Sequence, residues 1–155
     1  MIGKLHAAIR ANHEIGKELR GLLFFEFRTV TGHAHGEPRW IDAFHIGDVP
    51  STGFVRTAYE VKVTRADFLR EINDPLKRRA AMRISNRFFF VTPPGVAKPE
   101  EIPLGCGLLE VHEDGRRDFV VDAPFRDSLR PSWALFVAFA RGVGKLPNVA
   151  EGQGD

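Results

Sequence analysis

The residues best equipped for chemistry are Asp42, Glu60 and Lys62. Glu60 and Lys62 lie two positions apart in residues 54–63, a stretch that reads as a strand. On an extended chain two such residues point the same way, about 7 Å apart. Tyr59, Val61 and Val63 then face the other side, where they can join a core. Two charges inside an otherwise apolar strand cost free energy unless something compensates them. A divalent metal would do so, and hard oxygen ligands suit Mg²⁺, with Mn²⁺ able to take its place. If the strand holding Asp42 pairs with this one, the Asp42 and Glu60 carboxylates and the Val61 carbonyl form an incomplete cage. Water and a phosphate oxygen would fill the rest. That arrangement supports phosphodiester hydrolysis: the metal lowers the pKa of bound water and neutralises developing charge. Lys62 would orient or deprotonate the water, or stabilise the transition state. Glu-x-Lys by itself is a weak signal, and a surface Glu60–Lys62 ion pair with an unrelated Asp42 is the plain alternative.

These residues need strands next to one another, and the chain supplies them. Residues 4–20 read as a polar helix with Leu5, Ile9 and Leu19 as sparse anchors, ended by Gly21. Residues 22–31, 39–46 and 54–63 are rich in aromatic and β-branched types and read as three strands. Thr64 can cap a helix, with Asp67 in a capping-box relation and Phe68, Leu69 and Ile72 on its apolar face. Asn73-Asp74-Pro75 interrupts it, and Asp74 can cap a second helix that begins at Pro75. Residues 87–92 read as a buried strand, 107–112 and 118–121 as a hairpin, and 131–141 as a last helix. The plan is an α/β fold of order α-β-β-β-α-β with a C-terminal hairpin and helix.

The chain has 155 residues with 43% hydrophobic and 27% charged side chains, the balance of an ordinary globular domain. One domain over residues 1–147 is expected, with 148–155 a disordered tail. Cys106 has no partner for an internal disulfide, which favours a reducing, cytoplasmic setting. No apolar run approaches the ~20 residues that cross a bilayer, so no membrane is expected. The formal net charge of +2 hides an asymmetry. Residues 1–99 carry 16 Lys/Arg against 10 Asp/Glu, and residues 100–155 carry 6 against 10. Lys77, Arg78, Arg79 and Arg83 form the densest basic stretch, and Arg79 and Arg83 share one helix face. Such a face can hold nucleic-acid phosphates or simply be solvated.

The blocks Arg39-Trp-Ile-Asp-Ala-Phe44, Tyr59-Glu-Val-Lys-Val-Thr-Arg-Ala-Asp-Phe-Leu69 and Asn86-Arg-Phe-Phe-Phe-Val91 together resemble the PD-(D/E)xK nuclease superfamily. Within it they are most similar to the MmcB-like DNA repair group. Ile41 stands where the superfamily name has Pro. The resemblance covers roughly residues 15–112. It implies a restriction-endonuclease-like core and a metal-dependent deoxyribonuclease working in DNA repair or mobile-element maintenance. By that pattern Asp42 and Glu60 are metal ligands and Lys62 the catalytic lysine. Nucleases of this kind often cut as homodimers. Members often add a further acidic ligand, for which Glu14, Glu18 and Glu26 are the candidates. Glu26 ranks first because it sits among Phe24, Phe25 and Phe27, an expensive place for an unpaired carboxylate. A module of the same fold that holds DNA or a protein without cutting is the rival reading.

Several other residues have structural explanations. The capping box accounts for Thr64 and Asp67 without function. His33 and His35 lack further soft ligands for zinc and read as a surface loop. Cys106 reads as a small buried residue. Trp133, Phe136, Val137 and Phe139 read as packing the last helix onto the core.

Overall fold

Phe88, Phe89, Phe90 and Val91 follow one another with no polar alternation, the mark of a strand covered on both faces. In the computed structural model, which describes residues 1–29 and 39–144, they form the middle of the sheet. The elements are α1 (Ile2–Ala11), β1 (Glu14–Ile15), β2 (Glu18–Leu19), β3 (Leu22–Arg28), β4 (Trp40–Ile46) and β5 (Arg56–Val61). Then come α2 (Arg65–Ile72), α3 (Pro75–Ile84), β6 (Arg87–Thr92), β7 (Gly107–Val111), β8 (Arg117–Val121) and α4 (Trp133–Val143). His33, His35 and the tail 148–155 lie outside the described residues.

Strands β3 to β8 form one six-stranded sheet in sequence order. β5, β6 and β7 run parallel; the other neighbours are antiparallel. A parallel pair needs a crossover, and α2 and α3 make it between β5 and β6. The expected α/β plan is therefore present, with a mixed sheet flanked by helices. One face packs Leu5, Ala8 and Ile9 of α1 with Tyr59, Phe89, Val91 and Leu109. The other packs Phe68 of α2, Ala81 of α3, and Leu135 and Ala138 of α4 with Phe24, Phe44, Phe88 and Phe90. Burying each such Phe is worth about 1.5–3 kcal/mol, so the aromatic strands fix which faces the helices must cover.

Four expectations need correction. The first helix does not run to residue 20: it ends at Ala11, and β1 and β2 form a small hairpin turning at Gly16, whose φ is +66°. Between Ile9 and Ile15 the only apolar residue is Ala11, too small to hold a longer helix on the sheet. Asp74 stands at the N-cap of α3 but makes no side-chain capping bond, whereas Thr64 accepts from the Asp67 amide as expected. The capping pair is not reciprocal through the backbone; the Thr64 hydroxyl instead donates to the Asp67 carboxylate at 2.8 Å. Finally, α4 turns only part of its aromatic set inward. Phe139 stacks on Phe27 with ring centres 4.7 Å apart, while Trp133 and Phe136 are exposed. A period of 3.6 residues puts Leu135, Ala138 and Phe139 on one face and Trp133 and Phe136 on the other. Cys106 is buried as expected.

Candidate active site

The sheet opens where the acidic residues stand. The β4–β5 ladder runs from Ile46↔Arg56 to Ala43↔Tyr59 and stops. The next positions in register are Asp42 and Glu60. Beyond the stop, the Val61 amide has no β4 carbonyl to meet, and it donates to Asp42 Oδ2 at 2.7 Å. β5 stays paired on its other side, through Glu60↔Phe90 and Val61↔Val91, and the Lys62 amide donates to the Val91 carbonyl. The β3–β4 ladder has a break at the same level: Phe25↔Ala43 and Phe27↔Ile41 pair, and Glu26, opposite Asp42, does not. Glu26 has φ +50°, a left-handed conformation that is rare for a residue with a Cβ and costs of order 1–3 kcal/mol. A cavity of about 390 Å³ lies at the break, lined by Glu26, Asp42, Val61, Lys62, Glu71 and Lys77 among others.

Glu60 is buried, and it meets this cavity through Lys62, which lines it. Lys62 Nζ lies 2.6 Å from Glu60 Oε1 and 3.2 Å from Glu71 Oε2. Lys77 Nζ lies 2.6 Å from Glu71 Oε2 and 3.7 Å from Glu60 Oε1. Burial, and then the nearby Asp42, push the Glu60 carboxyl up to about 7. Burial works to lower the Lys62 pKa, but the Glu60 and Glu71 carboxylates outweigh it and hold the ammonium above its ordinary value. Lys62 is therefore a cation at neutral pH, which suits it to stabilising negative charge rather than to acting as a base.

Glu71 was not legible as a site residue, though a signal existed. It follows Phe68 by three positions on α2, so it shares the buried face, and both are buried. Its Oε1 is buried without a hydrogen-bond partner among the described residues, a state that costs free energy unless a cation lies nearby.

The other candidates fall in different places. Glu26 is exposed at the cavity wall, not sunk among the phenylalanines. Glu14 pairs with Arg10 at 2.7 Å in the small hairpin, and neither it nor Glu18 lines the cavity. The basic stretch divides. Lys77 faces the carboxylates, and Arg78 is buried with Nη1 donating to the Glu71 carbonyl at 3.1 Å. Arg79 and Arg83 are exposed and line a separate cavity.

The donor set can be tested against a metal. Among the described residues no group of three or more His, Cys, Asp or Glu side chains stands ready to hold one. Two carboxylates with remaining waters nevertheless fit Mg²⁺, which is commonly held by one or two carboxylates. The Val61 amide engages Asp42 Oδ2 and both Glu60 ion pairs use Oε1, which leaves Asp42 Oδ1 and Glu60 Oε2 as the donor oxygens.

No family model matches the chain, and no curated protein matches it. Among solved structures the chain is similar to the SPO1766 protein of unknown function from Silicibacter pomeroyi. The two share 22% identity and a TM-score of 0.52 over 79% of this chain and 72% of that one. At that identity the likeness speaks for the fold alone. Among the described residues no helix is long and apolar enough to cross a membrane.

Proposed function

We propose that this protein is a metal-dependent nuclease that hydrolyses DNA phosphodiester bonds, with the chemistry of the PD-(D/E)xK class. One observation carries the reading: the β4–β5 ladder ends where Asp42 faces Glu60, and Lys62 stands beside them on the cavity. Asp42 and Glu60, with the Val61 carbonyl, would hold Mg²⁺ or Mn²⁺. Such an ion supplies a lowered water pKa and charge neutralisation. Lys62, kept cationic by Glu60 and Glu71, sits close enough to stabilise charge on a phosphate oxygen. Glu71 fixes Lys62 and Lys77 in place. Glu26, opposite Asp42 in register, is the candidate for a further acidic ligand. Work in DNA repair, as a cytoplasmic protein or as a homodimer, belongs to the same proposal.

Supercoiled plasmid incubated with Mg²⁺ tests it. Nicking that EDTA abolishes and that Asp42→Asn loses supports the reading. Equal products from wild type and Asp42→Asn would remove it. A second reading, a module that holds DNA without cutting, is favoured by one feature: Lys62 and Lys77 pair with Glu60 and Glu71 and so compensate their charge. It predicts DNA retention with no cleavage under any divalent ion.

A further inference from the structure

A second cavity, about 410 Å³, lies between α3 and residues 104–129. Arg78, Arg79, Arg83 and Arg126 line it, and Asp127 is the one carboxylate among the lining residues. None of these four arginines takes part in an ion pair among the described residues. Elsewhere Arg10, Arg20, Arg65, Arg70, Arg87 and Arg116 each meet a carboxylate, while Arg28, Arg56, Arg117, Arg130 and Arg141 have no ion pair among the described residues. What sets this cavity apart is that four such arginines line one hollow with a single carboxylate.

The two inner arginines are held in place by neutral groups. Arg126 Nη1 donates to the Gly105 carbonyl at 2.8 Å, and its Nε to the carbonyls of Met82 at 3.1 Å and Ser85 at 3.3 Å. Its Nη2 is buried with no acceptor. Arg78 donates to the Glu71 carbonyl. Carbonyls orient a guanidinium without neutralising it. Burial accordingly lowers the Arg126 pKa, and the neighbouring Cys106 opposes that shift without cancelling it. The side chains of Arg79 and Arg83, one turn apart on α3, have no hydrogen-bond partner among the described residues and remain exposed at the cavity. Two fixed guanidiniums and two free ones around one hollow match a tetrahedral oxyanion, whose oxygens accept forked N–H donors.

We propose that this cavity binds a phosphate group, either the terminal phosphate of a nucleic-acid strand or a free phosphate compound. The inference does not rest on the carboxylate site, which α3 reaches through Lys77 instead.

The test titrates inorganic phosphate into the full chain, followed by amide chemical shifts, with sodium chloride at matched ionic strength as the control. Arg79→Gln and Arg83→Gln, alone and combined, are the variants; both side chains are exposed and make no hydrogen bond among the described residues, so folding should survive. Saturable shifts clustered on α3 and residues 104–129, with affinity about tenfold weaker in each single variant, support the site. No saturable shifts, or the same affinity in the double variant, would overturn it. A 5′-phosphorylated oligonucleotide competing better than its 5′-hydroxyl twin assigns the source to strand ends; saturable phosphate binding with which neither oligonucleotide competes assigns it to free phosphate, and equal competition by both would overturn the assignment of a terminal phosphate group. Asp42→Asn should leave phosphate affinity unchanged while abolishing nicking, which separates this site's failure from that of the nuclease reading.

Discussion

Replacing Glu60 by Gln should tilt the pH dependence of folding stability. In the unfolded chain the Glu60 carboxyl titrates near 4.5; in the fold, burial and then Asp42 push it up to about 7. The folded protein therefore holds the extra proton between those values. Its contribution to stability falls as pH rises through that window, by about 1 kcal/mol per pH unit. His13 pulls the other way. Burial, and then the stacked His45 with ring centres 3.5 Å apart, lower its pKa from 6.5 to about 3. There the unfolded chain holds the extra proton, so this contribution is complete above pH 6.5 and is lost as pH falls toward about 3. From about pH 5 to about pH 6.5 the two slopes oppose each other and largely cancel in the wild type. Urea denaturation across that range reads the difference. Glu60→Gln should gain stability relative to wild type as pH rises, by about 1.5 kcal/mol across the range. His13→Phe should lose a similar amount over the same interval. An unchanged slope in Glu60→Gln would refute the buried carboxyl beside Asp42, and with it the crowding of acidic groups at the break in the ladder.

The remaining predictions concern packing, capping and the lysine. A Cβ on Gly107 would lie 2.5 Å from the Phe89 ring and 2.8 Å from the Ala123 amide nitrogen, so Gly107→Ala should cost about 1–3 kcal/mol in chemical denaturation. Thr64→Ala should cost about 1 kcal/mol through its lost cap on α2, while Asp74→Ala, whose side chain caps nothing, should fall within about 0.5 kcal/mol of wild type. Lys62→Met should keep metal affinity and lose plasmid nicking; nicking at the wild-type rate would deny Lys62 its role.

The strands were legible because their side chains decide them. β6 lies where the unbroken Phe88–Val91 run places it, since four successive apolar residues require cover on both faces. Asp42 and Glu60 fell on the expected strands for the same reason, with Lys62 one residue past the end of β5, which is shorter than the expected 54–63: the alternation around Glu60 sends Tyr59 into one core and the Glu60 and Lys62 charges to the opposite face. The length of the first helix was not legible, because Leu19 mimics a helical anchor while belonging to a hairpin set by Gly16. The break in the ladder was also hidden. Nothing about the residue type of Glu26 announces a positive φ, and only the loss of its rung against Asp42 exposes it. Arg78 and Arg79 look equivalent in sequence, yet the 100° between them on α3 buries one and leaves the other exposed. Glu71 could have been found from its spacing to Phe68, had a carboxylate on an apolar face been read as a partner for two lysines.

The central claim is that Asp42 and Glu60 share one divalent ion. Calorimetric titration of Mn²⁺ into the full chain tests it most directly, with Asp42→Asn, Glu60→Gln and Glu14→Gln alongside. A single site is expected, which both the Asp42 and Glu60 variants lose and the Glu14 variant keeps. Mn²⁺ binding of undiminished strength in Asp42→Asn would contradict it.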